Sequence, residues 1–215
     1  MSSCCSFTDS AKAHFTKKDA EKTLARFKRK GLDDTTRLLR NGLADAGLVQ
    51  GTVLDIGAGI GLLSLELLNA GAAKTFAVDA SPAFVEVGKS EAIRRGASDR
   101  LTFSEGDFLA IAASLPSTSL VVMDRVICCY PSHGELLKAS LDHAEQGFAW
   151  SYPRERWFVR LTIGLENMIR KLQGSRFRAF VHPVREMHQA LRDSGFVLLS
   201  RQETTIWAIE VYRRG

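Results

Sequence analysis

The sequence contains no apolar run that approaches the ~20 residues needed for a membrane-spanning helix. Its first residues, MSSCCSFTDSAKAHF, lack the apolar centre of a secretory signal. We therefore expect a cytoplasmic protein with no transmembrane segment. With 215 residues, of which 45% are hydrophobic, the chain can bury one substantial core but hardly two. A single domain with an appended segment is predicted.

Cysteine is scarce, and its four copies stand in two adjacent pairs, Cys4-Cys5 and Cys128-Cys129. This spacing fits neither a zinc site nor the disulfide framework of a small secreted protein. Neighbouring cysteines rarely bridge each other, so we expect free thiols in a reducing compartment and predict no metal site.

The positive charge is concentrated in two segments. Residues 1–30 carry eight Lys or Arg against three acids, and residues 151–185 carry eight against two. Two basic segments around an acidic body suit an anionic small molecule, an anionic membrane surface or nucleic acid, or they are simply solvated helix faces. Because no aromatic-rich nucleic-acid motif accompanies them, no stable nucleic-acid partner is expected.

From residue 51 onward, apolar strands alternate with amphipathic helices. Five strands are predicted in GTVLDIG, KTFAVDAS, DRLTFSEGDF, SLVVMDRVICC and EQGFAWSYP. Near-continuously apolar strands that alternate with helices indicate an α/β fold, a parallel sheet with helices on both faces. The C-terminal part predicts a helix, Gly195, and two further strands that form an antiparallel hairpin.

Two helical additions surround this sheet. Helices at about 8–30 and 33–46 form a predicted N-terminal cap, residues 1–50, and an insertion at 152–183 forms a predicted lid. The lid contains a basic amphipathic helix with Arg156, Arg160, Arg170 and Lys171 on one side. We expect its apolar side to pack on the core. That side comprises Trp157, Phe158, Leu161, Leu165, Met168, Ile169 and Leu172.

The segment VLDIGAGIG, residues 53–61, is a glycine-rich turn between the first strand and a helix. Such turns let backbone amides approach a ligand closely. A dinucleotide fingerprint would need glycine at position 62, where Leu62 stands instead. Asp55, at the strand end, suits the ammonium group of an amino-acid moiety better than a pyrophosphate. S-adenosylmethionine has that moiety and no phosphate, so it is the predicted cofactor, and an NAD site is the least favoured interpretation.

Two further carboxylates follow successive strands. Asp79 comes 24 residues after Asp55, where an acid can accept hydrogen bonds from ribose hydroxyls. Asp107 is placed to accept from an adenine amino group, with Phe108 against the ring. The predicted cofactor-binding set is Asp55, Gly57, Gly59, Gly61, Asp79, Ala80, Asp107, Phe108 and Asp124.

Four segments in register, LDIGAGIG, AVDAS, EGDF and VVMDRV, resemble the class I S-adenosylmethionine-dependent methyltransferases. Further segments, DRVICCYP, YPRERWFVR, FRAFVHP and the N-terminal CC, resemble a bacterial group often associated with magnesium-protoporphyrin O-methyltransferase. The resemblance implies a Rossmann-like, seven-stranded, mostly parallel sheet and a methyltransferase domain at 51–215. It also implies that the fourth strand ends beside the donor methyl group.

The acceptor site is less narrowly predicted. Three roles are open for Cys128, Cys129 and Tyr130. They form a structural wall, or Tyr130 or a thiol positions the acceptor, or the two cysteines complete with Cys4-Cys5 a thiolate clamp for a soft metalloid, which would make the protein an arsenic or thiol methyltransferase. Candidate catalytic residues are Tyr130, His133 and His182. Candidate substrate residues are Cys128, Cys129, Tyr152, Arg154, Trp157 and Arg160.

The preferred function is methylation of a small anionic acceptor at a carboxylate, which is ionised at pH 7 and needs no general base. The alternatives are an S- or As-methyltransferase, and a cofactor-binding module that acts on nucleic acid or a membrane. The sequence does not predict an oligomeric state.

Overall fold

The computed structural model describes residues 3–215, with side chains described from residue 8 onward. The helices are α1 (Ser3–His14), α2 (Lys17–Lys30), α3 (Asp34–Asp45), α4 (Leu62–Asn69), α5 (Pro82–Arg94), α6 (Phe108–Ile111), α7 (His133–Asp142), α8 (Trp157–Leu172) and α9 (Val184–Asp193). The strands are β1 (Gly51–Ile56), β2 (Ala72–Asp79), β3 (Leu101–Glu105), β4 (Thr118–Asp124), β5 (Ala144–Pro153), β6 (Phe196–Glu203) and β7 (Trp207–Arg214). In this part of the chain, no helix combines the length and the apolar character needed to cross a bilayer.

The seven strands form one sheet in the order β3-β2-β1-β4-β5-β7-β6. Strands β1 to β5 pair in parallel, whereas β7 is antiparallel to both β5 and β6. The predicted mostly parallel sheet with a C-terminal hairpin is thus confirmed. The direction of winding reverses between β1 and β4, and the crevice outside their carboxyl ends is where ligands bind in such sheets.

Both faces of the sheet are buried. On β4, Leu120 and Val122 point into one hydrophobic cluster, while Val121 and Met123 point into the other. Because side chains alternate along a strand, a run that is apolar at every position needs a covering layer on each side. Helices α3, α4 and α5 contribute to the first layer and α7 and α9 to the second.

The N-terminal segment departs from the prediction at one point. The predicted helix at 8–30 is two helices, because Thr16 caps the start of α2. The Asp19 amide donates to the Thr16 hydroxyl, and the Thr16 amide donates to an Asp19 carboxylate oxygen at 3.1 Å. This reciprocal pair is a capping box, and its spacing was a usable sequence signal for the break. The proposed boundary between residues 50 and 51 stays a prediction.

The insertion forms α8, but the expected packing of its apolar side is wrong. Along the helix, Val159 is the buried residue, whereas Trp157, Leu161 and Leu172 are exposed. Hydrogen bonds also fix the helix: the Asn167 side chain donates to the Ala179 carbonyl at 2.7 Å and accepts from its amide at 2.9 Å.

Candidate active site

A cavity of about 550 Å³ lies at the carboxyl ends of β1, β2, β3 and β4. The loops that follow these four strands form its floor, at the switch point of the sheet. Helices α1 and α2 and the start of α3 form its cover. The cover residues on the cavity are Ala11, His14, Phe15, Asp19, Thr23, Arg26, Leu32, Asp33 and Thr36.

The glycine-rich turn after β1 follows the cavity wall closely. Gly57 and Gly59 have φ values of 66° and 58°, which ordinary side chains rarely adopt. A Cβ at Gly57 would lie 2.4 Å from a methyl group of Val126, so only glycine fits there. Gly61 has a different place: it begins α4, and a Cβ there would lie 2.7 Å from the Phe103 ring. The structure therefore places Gly57 and Gly59 on the cavity and Gly61 behind it.

Asp79 at the end of β2 faces the glycine-rich turn. One of its oxygens accepts from the Gly59 amide and the other from the Ser81 amide, both at 2.8 Å. Burial raises the pKa of this carboxyl above its ordinary value, against these two hydrogen bonds. Asp79 and the adjacent Ala80 both line the cavity, and carboxylate lone pairs remain for further donors.

Asp55, on β1, is fully buried and accepts a hydrogen bond from the Ser64 hydroxyl at 2.7 Å. Burial raises its pKa to about 7, and the carboxylates of Asp124 and Asp79 contribute to the rise. A cation brought into this cavity would favour the ionised form. The site thus holds a carboxylate whose charge depends on what binds beside it.

Asp107 and Phe108 stand where β3 ends and α6 begins. Asp107 caps this short helix by accepting from the Leu109 amide at 3.1 Å, and burial raises its pKa. Both residues line the cavity, with the Phe108 ring packed into the core beneath it. An apolar ring beside a carboxylate suits a flat, hydrogen-bonding heterocycle.

The carboxylate of Asp124, at the end of β4, accepts hydrogen bonds from other side chains of the protein. It accepts from the hydroxyls of Ser151 and Thr36, each at 2.5 Å, and from Arg125 at 3.2 Å. Asp124 therefore joins the cover to the sheet, and it also lines the cavity.

Arg125 is the central residue of that connection, and the sequence prediction missed it. In the described part of the chain, it is the one non-glycine residue with positive φ, at 60°. Its guanidinium donates to Asp33 at 2.9 Å and to Thr36 at 3.1 Å. Although burial opposes ionisation of Asp33, Arg125 and the Thr36 amide lower its pKa. No local motif indicates such contacts, because about 90 residues separate the partners.

Aromatic groups of the cover were also missed. The Phe15 ring meets the edge of Phe84 at 5.7 Å, and the Phe15 carbonyl accepts from the Ser81 hydroxyl at 2.8 Å. His14 stacks on Phe177 at 4.3 Å, and burial lowers its pKa. His14, Phe15 and Phe84 all line the cavity. An imidazole that stays neutral at pH 7 is thus available at the site.

The vicinal cysteines form the end of a 3-10 turn, Ile127–Cys129, that follows β4. Cys129 lines the cavity, whereas Cys128 is buried beside it with the two sulfurs 3.8 Å apart. Its contact with the Cys129 thiol, together with burial, holds the pKa of Cys128 well above its usual value. Cys128 is therefore a protonated thiol at pH 7. The side chains of Cys4 and Cys5, the other half of the predicted clamp, lie outside the described residues.

Of the three predicted catalytic residues, the structure brings Tyr130 alone to the cavity. The rings of His133 and His182 stack on each other at 4.1 Å on the other side of the cysteine turn. His182 Nε2 lies 3.1 Å from the Ile127 carbonyl oxygen, and burial together with His133 lowers its pKa to about 4. Neither histidine lines the cavity: His182 contacts the backbone of the loop, and His133 stacks on His182.

Four predicted substrate residues also lie away from the cavity. Tyr152 donates to the buried Glu210 at 2.8 Å, and Arg154 is ion-paired with Glu203. Trp157 is exposed and Arg160 pairs with Glu155. The insertion leaves the sheet at the carboxyl end of β5, next to β4, and its Phe177 stacks on His14 of the cover, but none of these four side chains lines the cavity. The guanidinium groups that do line the cavity belong to Arg26 and Arg125.

Residues 53–147 match a family model described as a methyltransferase domain. A probable cobalt-precorrin-6B C(15)-methyltransferase of Pyrobaculum aerophilum is 38% identical over 71 residues, which are 32% of this chain and 36% of that enzyme. A ribosomal protein L11 methyltransferase of Escherichia coli is also 38% identical over 71 residues, 33% of this chain and 24% of that enzyme. The chain thus matches about a third or less of the length of these relatives.

Two solved structures share the fold over a larger part of the chain. A magnesium protoporphyrin IX methyltransferase from Synechocystis PCC 6803, with bound S-adenosylhomocysteine, superposes with a TM-score of 0.72 at 19% identity, covering 95% of this chain and 98% of that chain. Human N-acetylserotonin methyltransferase, in complex with S-adenosylmethionine, gives 0.60 at 20% identity, covering 85% of this chain and 52% of that one.

Proposed function

We propose that the chain is a class I S-adenosylmethionine-dependent methyltransferase and that it methylates a small anionic acceptor, preferably at a carboxylate oxygen. One observation carries the proposal: Asp79 faces the tight Gly57–Gly59 turn at the switch point of the sheet, and both line one cavity. The volume of this cavity is within the range of small-molecule binding sites.

The residues on the floor fit S-adenosylmethionine in both shape and charge. Gly57 and Gly59 leave room for close approach to the backbone. Asp55 would pair with the cationic amino-acid end, and its raised pKa means that such a pairing changes its protonation. Asp79 would accept from ribose hydroxyls, and Asp107 with Phe108 would hold the adenine. When bound, this cofactor supplies a methyl group on a positively charged sulfur, which is already activated for transfer.

The cover would hold the acceptor. Arg26 lines the cavity from the cover and Arg125 from the loop after β4, and both donate to Asp33. An acceptor carboxylate would share these guanidinium groups, which match its geometry. Its oxygen would form the new bond to the methyl carbon as the carbon–sulfur bond breaks, and no proton needs to move. The main task of the chain is then to exclude water and align the two reactants.

A phenol or amine acceptor would need a base. His14 is the candidate, since it lines the cavity and its lowered pKa keeps it neutral. His133 and His182 do not reach the cavity.

A soft acceptor, such as a thiol or trivalent arsenic, is the second candidate, because Cys129 lines the cavity with Cys128 beside it. The high pKa of Cys128 makes a thiolate clamp less favourable than a carboxylate site. The porphyrin acid methylated by the Synechocystis neighbour is the first anionic acceptor to test.

The test is production of S-adenosylhomocysteine by the purified protein from radiolabelled donor, with porphyrin acids, aromatic acids, small thiols and trivalent arsenic as acceptors. Asp79→Ala should abolish donor binding, whereas the exposed Glu145→Gln is the matched control. Methylation of an acid with no turnover of thiols or arsenic would support the proposal. Donor binding without turnover of any acid would contradict the assignment of an anionic acceptor. Lack of donor binding would contradict the assignment of S-adenosylmethionine as the cofactor.

A further inference from the structure

Helix α8 presents an apolar stripe to solvent. We define the α8 stripe as Trp157, Leu161, Leu165, Met168 and Leu172, all of which are exposed. Trp157, Leu161 and Leu172 are 77%, 65% and 81% exposed. Scattered single apolar residues are normal on a surface, but five on one helix are a contiguous patch.

The stripe points away from the protein. With ~100° per residue, its five side chains fall within an arc of about 80°. Val159, the buried residue of α8, and the half-buried Arg170 lie on the opposite side of the helix. Arg170 sits over the Phe177 ring at 5.6 Å, and Asn167 is bonded to the backbone of Ala179. The orientation of α8 is therefore fixed by its other side, and the stripe packs on no core cluster of the described residues.

Basic side chains stand along one edge of the stripe and at both ends of the helix. Arg160, which pairs with the exposed Glu155, and Lys171 follow the edge, and Arg156 and Arg176 stand before and after the helix, all four exposed. Residues 151–185 carry eight Lys or Arg and two acids. Trp and Leu on one face, with Lys and Arg beside them, are typical of helices that lie in the interface of an anionic membrane.

We propose that the α8 stripe docks the protein on the surface of an anionic phospholipid bilayer. The helix lies in the plane of the interface, with the stripe among the acyl chains and the basic residues at the lipid phosphates. This inference goes beyond the proposed function, because docking requires neither the cofactor nor an acceptor. It also agrees with the lack of a membrane-crossing helix in the described part of the chain.

A second copy of the chain fits the stripe less well. Two stripes that face each other in antiparallel orientation would bring their basic edges together, with like charges in apposition. The area is also small: a 16-residue helix is ~24 Å long and ~10 Å wide, well below the ~800 Å² per partner of a stable dimer. The charge and the area both favour lipid.

The experiment is co-sedimentation of the full chain with vesicles of phosphatidylcholine alone or mixed with phosphatidylglycerol. We expect binding to the mixed vesicles that weakens at high salt. The double variant Leu161→Gln/Leu172→Gln should lower the affinity by roughly tenfold or more, because both side chains leave the bilayer. Arg160→Gln/Lys171→Gln should lower it by about tenfold on mixed vesicles.

Two controls are matched to these variants. Ile93→Gln removes an equally exposed apolar side chain from α5, and Lys89→Gln removes an exposed cation from the same helix. Both should bind as the unmodified protein does. Brominated lipid should quench Trp157 fluorescence, and the quenching should disappear in Trp157→Phe.

Three results would overturn the proposal: no binding to mixed vesicles, equal loss in the α5 controls, or unchanged binding of the α8 double variant. A dimer in sedimentation equilibrium that the α8 double variant abolishes would assign the stripe to a second copy instead.

Discussion

The guanidinium of Arg125 lies 2.9 Å from a carboxylate oxygen of Asp33, and this ion pair joins the loop after β4 to the start of α3. Arg125 also contacts Asp124, which accepts from Thr36 of α3. Four groups from two distant segments thus form one network across the cavity. Its physical effect is to hold the helical cover against the floor.

Asp33→Asn should loosen this network without removing the helix cap, since Asn caps as well as Asp. We expect the free energy of unfolding to fall by about 2 kcal/mol, because a charged hydrogen-bond partner is lost. Urea denaturation measures the change. Asp34→Asn is the control: Asp34 is adjacent and pairs with Arg37 on the surface, where a pair contributes ~1 kcal/mol or less. Equal effects of the two substitutions would contradict the network.

Gly57→Ala should impair cofactor binding, because the new methyl group would lie 2.4 Å from Val126. Gly96→Ala is a matched control, since its φ of +64° is nearly that of Gly57 but no atom lies within 4 Å of the added carbon. The shared cost of positive φ is ~1 kcal/mol. Calorimetry should therefore find reduced donor affinity for Gly57→Ala alone. Normal affinity in that variant would mean that the turn can shift freely.

The sheet was predictable because its central strands are near-continuously apolar and are separated by helices with clear caps, as Ser81 and Pro82 of α5 illustrate. The carboxylates Asp55, Asp79 and Asp107 were predictable as cavity residues because each stands at or directly after the end of a strand. The helical spacing on α8 also predicted the helix correctly. Spacing does not tell which side of a helix meets the core, and here the apolar side faces solvent.

The parts of the site that were missed depend on contacts between distant segments. Arg125 contacts Asp33 and Thr36 across about 90 residues, and no local pattern indicates such a pairing. His14 and Phe15 reach the cavity because α1 folds over it. Conversely, Arg154 and Arg160 looked suited to an anionic acceptor by charge alone, but ion pairs with Glu203 and Glu155 hold them elsewhere.

The pKa of Asp55, raised by burial to about 7, gives donor affinity a pH dependence. Below pH 7 the carboxyl is protonated, and a cationic ligand then meets no negative charge. Affinity should therefore rise by roughly tenfold between about pH 6 and pH 8, as the ionised fraction increases. Calorimetry across this range measures it. Asp55→Asn should bind weakly with a flatter profile, and a steep profile in that variant would assign the titration to another group.

The same raised pKa affects stability with the opposite sign. The unfolded chain releases the Asp55 proton near the ordinary carboxyl pKa of 3.8, whereas the folded chain keeps it until about pH 7. The contribution of Asp55 to the stability of the ligand-free protein is thus fully present below pH 4, and it is lost as the pH rises through about 7. Relative to the unmodified protein, Asp55→Asn should become more stable as the pH rises over this range, and thermal unfolding tests that trend.

Cys129→Ser should separate the acceptor classes. Under carboxylate methylation the thiol is part of the wall, and turnover should stay within about threefold, because Ser differs little in volume. Under arsenic or thiol methylation, turnover should be lost, because serine does not replace a soft ligand. Steady-state kinetics on the acceptor found first decides between them. Cys128→Ser is the companion variant; its position is buried, so a stability measurement must accompany its kinetics.

Glu210 offers a prediction about stability alone. This buried carboxylate accepts from Trp150 at 3.0 Å, Tyr152 at 2.8 Å and Tyr212 at 2.6 Å, and none of these residues lines the cavity. Negative charge beside the two phenols helps burial to raise the pKa of each. Glu210→Gln should cost about 2 kcal/mol, because an amide has one acceptor oxygen and leaves a buried donor unpaired.

Donor affinity of Glu210→Gln should remain unchanged, since neither Glu210 nor its partners line the cavity. Glu145→Gln, at an exposed position on β5, should change stability by ~0.5 kcal/mol or less. Chemical denaturation and calorimetry on the two variants measure both quantities. A loss of donor affinity in Glu210→Gln would mean that the Glu210 network is coupled to the cavity, because β5 and β7 connect the buried carboxylate to β4 and its loop.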